Sequence, residues 1–122
     1  MILAWLAAAA IVGFFSVAAG AVSAHLGAHD VMSELLRTGA LYGMVHAAAL
    51  IGIAALAALR GQPGLLLIVA GWSFAVGILL FSLSLFALAA TGIDRLRIVT
   101  PFGGVALLIG WAALGVYALR NR

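Results

Sequence analysis

The segment LLLIVAGWSFAVGILLFSLSLFALAAT, residues 65–91, decides the fold class of this chain because none of its side chains can ionise. A bilayer core of about 30 Å is crossed by roughly 20 predominantly apolar helical residues. The segment exceeds that length, so it predicts a tilted transmembrane helix over about Leu65–Thr91. Gly92, which follows it, is the residue type that most often ends a helix.

Three further runs lack Asp, Glu, Lys and Arg and are also long enough to cross a bilayer. They predict transmembrane helices over about Ile2–Ala24, Gly39–Leu59 and Thr100–Leu119, the last with Thr100 as its cap and Pro101 in its first turn. Because the connections between the runs are short, neighbouring helices should be antiparallel. The expected fold is all-α: a single four-span transmembrane domain over residues 1–122, arranged as an up-down-up-down membrane four-helix bundle.

The segment His25–Arg37, between the first two spans, is richer in polar side chains than any span. Asp30 can cap a helix, and Gly39 can end one. The apolar residues between them would form one face. This pattern predicts a short interfacial helix on the membrane surface between spans one and two. The alternative is that the same residues extend the second span as one continuous helix.

The composition is typical of a membrane protein, with 67% hydrophobic and 7% charged residues, against roughly 25% charged in soluble domains. The net charge of +3 comes from six arginines and gives no reason to expect a nucleic-acid partner. The expected partners are the lipid bilayer and either another membrane protein or further copies of this chain. The absence of cysteine excludes disulfides, thiolate metal sites and cysteine nucleophiles. No cofactor motif is visible, and no cofactor is expected.

Small residues recur at helical spacing in every predicted span. The hydrophobic effect does not bring helices together in lipid, so they associate through close backbone approach at small residues. Intervals of three, four and seven residues place such positions on one face of a helix. The glycines expected to pack against neighbouring helices are Gly20, Gly39, Gly43, Gly77, Gly103 and Gly110.

The first and third connections of a four-span chain lie on the same side of the membrane. Together they hold all the acidic residues, Asp30, Glu34 and Asp94, so polar chemistry should lie at this end of the bundle. Arginines are divided equally between the two ends, which leaves the orientation in the membrane open. The candidate polar site consists of His25, His29, Tyr42, His46, Ser82, Ser84 and Thr91.

His46 is the only histidine within a predicted span, and it shares a helical face with Gly39 and Gly43. It should therefore point into the bundle. An intramembrane ionisable residue is a functional candidate. The alternative is a neutral histidine that is hydrogen-bonded to a neighbouring helix. The expected partners are Ser82, Ser84, Tyr42 or a backbone carbonyl.

A second feature is the pair His25 and His29, which could chelate a metal together with Asp30, Glu34 or His46. A histidine pair in a polar loop is weak evidence for such a site. We therefore expect no bound metal and no catalytic residue.

Several motifs in the same order carry a family resemblance. Gly20–Leu26 resembles a Gly-Ala-Phe-Gly-Ala-His-Gly signature, and Tyr42–Leu50 resembles a Tyr-x-x-x-His-Ala-Leu-Ala-Leu segment. Leu80–Gly92 and Thr100–Gly104 complete the pattern. The chain resembles the domain of unknown function 423 family, which includes YgdD-type bacterial inner-membrane proteins and transmembrane protein 256-like proteins.

The resemblance covers nearly the whole chain and implies a multi-pass protein of the bacterial inner membrane. The chain departs from the family pattern at Ser23 and Leu83, where the pattern has Gly, and at Phe86, where it has Tyr. The missing Tyr hydroxyl weakens any assignment of position 86 to a shared polar site. The family name implies no reaction.

The preferred functional hypothesis is a non-enzymatic accessory or assembly component of a larger membrane complex, because the connections are too short to hold a separate active site. The alternative is a small transporter or channel-like element that uses the polar end of the bundle and His46. An enzyme would require His25, His29 and Glu34 to converge.

Overall fold

The computed structural model describes residues 1–27 and 29–121, and within them it contains helices and no β-strand. The four long helices are α1 (Ile2–Ala24), α2 (Val31–Leu59), α3 (Leu65–Thr91) and α4 (Val99–Arg120), with a 3₁₀ turn at Asp94–Ile98 before α4. Each long helix is sufficiently long and apolar to cross a membrane. The predicted all-α, four-span architecture is confirmed.

The prediction of a separate interfacial helix between spans one and two is wrong. Asp30 does cap a helix, since its Oδ1 accepts a hydrogen bond of 2.9 Å from the Met32 N–H. That helix continues without a break to Leu59, as the alternative interpretation had it. Gly39 does not end it: a Cβ there would lie 2.6 Å from Cε1 of Phe86, so the glycine serves close packing. With 29 residues, α2 is about 44 Å long and extends beyond the hydrocarbon core.

The other helix ends agree more closely with the sequence. Gly92 ends α3 in the left-handed conformation, with φ of 68°. The start of α4 differs slightly, because the helix begins at Val99, directly after the 3₁₀ turn. Thr100 therefore lies inside the first turn rather than at the cap. Its Oγ1 is 2.7 Å from Oγ of Ser84 and links α4 to α3 instead.

The third helix is central to the packing. It contacts α1, α2 and α4, and α1 also packs along α2. The largest fully buried side chains, Trp5, Phe74, Leu50, Leu67 and Ile78, lie among α1, α2 and α3. Within the described ranges, α4 packs mainly on α3 and makes few contacts with α1 or α2. The bundle is consequently open on the side where α2 and α4 face each other.

Glycines bring α3 and α4 into backbone contact. A Cβ on Gly103 would lie 2.8 Å from Cα of Phe81, and one on Gly77 would lie 2.6 Å from Cδ2 of Leu107. A Cβ on Gly110 would lie 2.6 Å from Cδ1 of Phe74. Each glycine thus occupies a position where a neighbouring helix leaves no room for a methyl group.

The contacts among α1, α2 and α3 also depend on small residues. A Cβ on Gly43 would meet the hydroxyls of Ser16 and Ser82, and Gly71 lies directly against the indole of Trp5. Sequence reasoning did not single out Gly71. Gly20 is less restricted, since a Cβ there would lie 3.8 Å from Cβ of Ala40, an ordinary van der Waals distance.

Candidate functional site: the His46 cluster and the groove between α2 and α4

His46 lies in the interior of α2 and is 7% exposed. Gly39 and Gly43 share its helical face, and both are buried. The side chain therefore points into the protein, towards the open side between α2 and α4.

Both ring nitrogens of His46 have hydrogen-bond partners. Nδ1 is 2.7 Å from the backbone carbonyl oxygen of Tyr42, and Nε2 is 3.0 Å from Nε1 of Trp111. An indole N–H can only donate, so Nε2 must be the acceptor and must carry no proton. Nδ1 then carries the proton and donates a hydrogen bond to the Tyr42 carbonyl oxygen. This arrangement requires the neutral imidazole in its Nδ1–H tautomer.

Aromatic rings surround the imidazole. Tyr42 stacks on it with a centroid separation of 5.9 Å and an interplanar angle of 10°. Phe74 and Trp111 approach edge-on, at 5.6 and 5.9 Å, and Phe81 lies 4.7 Å from Tyr42. We refer to these five side chains as the His46 cluster. One hydrogen-bonded chain runs through it, from Trp111 through His46 to a carbonyl of α2.

A groove adjoins the cluster where α2 and α4 fail to pack. It encloses about 430 Å³, and we refer to it as the α2–α4 groove. Its lining residues are Tyr42, His46, Phe81, Gly104, Leu107, Leu108 and Trp111. Phe81 also lines a second cavity of about 340 Å³, which reaches Arg97 and Thr100 at the polar end. The surface that the groove offers is mainly apolar.

The hydroxyls of the candidate polar site face other partners. Ser82 donates to the carbonyl of Gly39, at 2.9 Å, and so links α3 to α2. Ser84 donates to the carbonyl of Phe81 and pairs with Thr100. Thr91 donates to the carbonyl of Ala87, at 2.6 Å, at the end of α3. None of these hydroxyls is a partner of His46, so the prediction that Ser82 or Ser84 bonds to His46 is wrong. Tyr42 is a partner, but through its backbone carbonyl rather than its hydroxyl.

His25 and His29 lie apart from the cluster, exposed in the connection between α1 and α2. His46 follows Asp30, the cap of α2, by about 24 Å of continuous helix. It therefore cannot complete a metal site with the two loop histidines. Among residues 1–27 and 29–121, no group of three His, Cys, Asp or Glu side chains could hold a metal ion.

Trp111 is the member of the candidate site that the sequence analysis did not include. The signal was available, because a tryptophan in the middle of a transmembrane helix has one N–H that needs an acceptor. His46 is the strongest side-chain acceptor available at that depth. Phe74 and Phe81 gave no comparable signal, since phenylalanine in an apolar helix is ordinary core material.

Four membrane-length helices joined by short connections define a multi-pass α-helical membrane protein. The chain belongs to the family described as Protein of unknown function (DUF423), whose family model matches residues 19–104. This confirms the resemblance inferred from the motifs. The protein is thus a multi-pass protein of the bacterial inner membrane and contacts the lipid bilayer.

Relatives match over most of the chain. The UPF0382 membrane protein of Haemophilus influenzae is 38% identical over 121 residues, covering 97% of this chain and 95% of the relative. The UPF0382 inner membrane protein YgdD of Escherichia coli K12 is 38% identical, covering 93% and 88%. The UPF0382 membrane protein YwdK of Bacillus subtilis is 40% identical over 91 residues, covering 75% and 73%. No solved structure matches the chain.

Proposed function

We propose that the protein is a non-enzymatic accessory component of a membrane assembly, and that its α2–α4 groove receives a transmembrane helix of a partner membrane protein. One observation carries the proposal: α4 packs along α3 but is not closely packed against α2. The hydrogen bond between Trp111 and His46 bridges the space between α4 and α2. The space between the two helices must be filled by apolar material in a membrane.

The surface of α4 in the groove suits a helix. Gly104, Leu108, Trp111 and Gly115 recur at intervals of four, three and four residues and so lie along one line of α4. A Cβ on Gly115 would meet nothing within 4 Å, and one on Gly104 would be 3.7 Å from Phe81. These glycines are not needed for packing within the chain. They leave room for the backbone of another helix, which is how helices associate in lipid.

The state of His46 supports a structural role over a catalytic one. Both of its nitrogens are engaged, one as a donor and the other as an acceptor. A general base, a nucleophile or a metal ligand needs a free nitrogen lone pair, and here the only lone pair is held by the Trp111 N–H. The ring instead fixes the distance between α2 and α4 and so keeps the groove open to a partner.

Site-specific photo-cross-linking in cells at native expression tests the proposal. A photoreactive residue at Leu108, inside the groove, should capture a defined membrane protein that mass spectrometry identifies. A photoreactive residue at Phe14, which is 71% exposed on α1, is the control and should give lipid adducts without that protein. Recovery of lipid alone from Leu108, of a second copy of this chain, or of the same proteins from both positions contradicts the proposal.

A matched pair of substitutions sharpens the test. Gly115→Leu fills the groove side of α4, whereas Gly13→Leu adds the same side chain to α1 at a glycine that also has no neighbour within 4 Å. The first should abolish the cross-link from Leu108, and the second should leave it intact. Equal cross-linking in both variants would show that the partner does not use the groove.

The second candidate function is proton-coupled transport, and one observation favours it: the α2–α4 groove reaches His46. Proton flux into proteoliposomes, followed with a pH-sensitive dye, separates the two functions. Under the accessory proposal, the protein adds no flux to that of protein-free vesicles. A flux that is lost in His46→Gln would place transport first.

A further inference from the structure

A cavity of about 460 Å³ lies at the end of the molecule remote from the acidic residues. It is formed where α2 ends, α3 begins and α4 ends. Its lining includes Arg60, Gln62, Leu65, Leu66, Tyr117 and Arg120. No step of the proposed function uses this cavity.

Two positively charged side chains line this cavity. Arg60 and Arg120 both line it, and every Asp and Glu of the chain lies at the opposite end of the bundle. Within residues 1–27 and 29–121, the one ion pair joins Arg97 to Asp94, far from this cavity. Neither arginine of the cavity is therefore neutralised by an acidic side chain.

Arg60 is held in place by Tyr117. The guanidinium carbon lies 5.4 Å from the centroid of the Tyr117 ring, within the range of a cation–π contact. This contact orients the charged group over the cavity and leaves its N–H donors available. Guanidinium groups recognise phosphate oxygens through such paired donors.

Uncharged donors complete the arrangement. The Tyr117 hydroxyl is enclosed and has no hydrogen-bond partner among the residues that the structure describes. Among the same residues, no side chain caps the start of α3, because Gly64 occupies the cap position. The first N–H groups of α3 with an acceptor are those of Leu67 and Ile68, both bonded to the Gly64 carbonyl. The N–H groups of Leu65 and Leu66 precede them at a helix start, where the dipole favours an anion.

We propose that this cavity binds the phosphate group of an anionic phospholipid. An oxyanion would satisfy the two arginines, the Tyr117 hydroxyl and the free N–H groups at once. The lipid is favoured as the source of the phosphate because apolar surface continues from the cavity: Leu59 and Leu65 are 86% and 74% exposed where α2 and α3 meet it. An acyl chain can follow that surface, whereas free phosphate gains nothing from it.

Native mass spectrometry of the full chain in detergent tests the proposal. The probes are phosphatidylglycerol, phosphatidylcholine with the same acyl chains, and inorganic phosphate. Phosphatidylglycerol should bind best, and Arg60→Gln and Arg120→Gln should each weaken it about fivefold, the effect of one basic residue near anionic lipid. Arg95→Gln removes an arginine from the opposite end and is the charge-matched control, which should bind as the unmodified chain does.

Tyr117→Phe separates a built site from general attraction to basic helix ends. It leaves the net charge unchanged and should weaken phosphatidylglycerol binding about threefold, as expected for one hydrogen bond. Tyr42→Phe is the matched control and should have no effect. Equal binding of the Tyr117→Phe and unmodified chains, or equal losses in Arg95→Gln and Arg60→Gln, would overturn the site. Displacement of phosphatidylglycerol by millimolar inorganic phosphate would overturn the lipid as its ligand.

A Lys variant keeps the test valid if Arg60→Gln does not fold. Arg60→Lys retains the charge but lacks the planar paired donors. It should fold and bind phosphatidylglycerol less well than the unmodified chain. Unchanged affinity in this variant would show that charge alone, rather than the geometry at Tyr117, attracts the lipid.

Discussion

The hydrogen bond from Trp111 to His46 is the side-chain hydrogen bond that joins α2 to α4 in the described chain. Its geometry determines both the tautomer and the charge of the ring, since the acceptor nitrogen cannot carry a proton. Polar contacts within membranes are worth less than the absence of water suggests, because the unfolded chain also finds partners in the bilayer. The contact should thus specify the position of α4 more than it stabilises the fold.

A double-mutant cycle measures that contribution. We expect His46→Leu and Trp111→Phe to show a coupling free energy of about 0.6 kcal/mol, the average for transmembrane hydrogen bonds, and at most about 1.7 kcal/mol. Unfolding in mixed micelles or by steric trapping provides the measurement. Trp72→Phe is the control partner, because Trp72 packs edge-to-face against Trp5 rather than against His46. Additive effects of the His46 and Trp111 substitutions would contradict the bond.

The protonation state of His46 is a separate prediction. Nitrogen-15 spectra of the labelled chain in bicelles should show a neutral ring at pH 7 with the proton on Nδ1. The exposed His25 provides an internal reference in the same spectrum. An imidazolium signal from His46, or a proton on Nε2, is incompatible with acceptance of the Trp111 N–H and would favour the transport candidate.

Among the elements, the contact between α3 and α4 depends most on glycine. Two neighbouring positions provide a direct test, because a Cβ on Gly103 would collide with the backbone of Phe81 while one on Gly104 would rest 3.7 Å from its side chain. Backbone cannot move aside as a flexible side chain can. We expect Gly103→Ala to lower the free energy of unfolding by about 1–3 kcal/mol, the usual cost of overpacking. Gly104→Ala should leave that free energy nearly unchanged, and equal losses in the two variants would be inconsistent with the helix contact described.

How far the elements were predictable depended on the kind of signal. The bounds predicted for α3, about Leu65–Thr91, agree with the structure, because an apolar run that ends at Gly92 is a local pattern. The long α2 was misread because Gly39 looks the same in sequence whether it ends a helix or admits Phe86. The partner of His46 depended on which helix faces α2, and spacing within one helix does not contain that information.

At the scale of the whole molecule, four spans place both ends of the chain on one side of the membrane. Since the chain has no cysteine, single cysteines can report topology without background. Arg60→Cys and Arg120→Cys should react with a membrane-impermeant maleimide from the same side, and Arg95→Cys should react from the other. Labelling of all three from one side of intact vesicles would be incompatible with the up-down-up-down order.

The position of Trp111 in the last helix has a consequence for biosynthesis. The chain leaves the ribosome from its N-terminus, so α1, α2 and α3 are synthesised before the donor that His46 requires. Until α4 is inserted, the imidazole lies at membrane depth with an unoccupied lone pair, facing the side that α4 will border. The helix that is synthesised last thus completes the hydrogen bonding of a side chain that an earlier helix has already carried into the membrane.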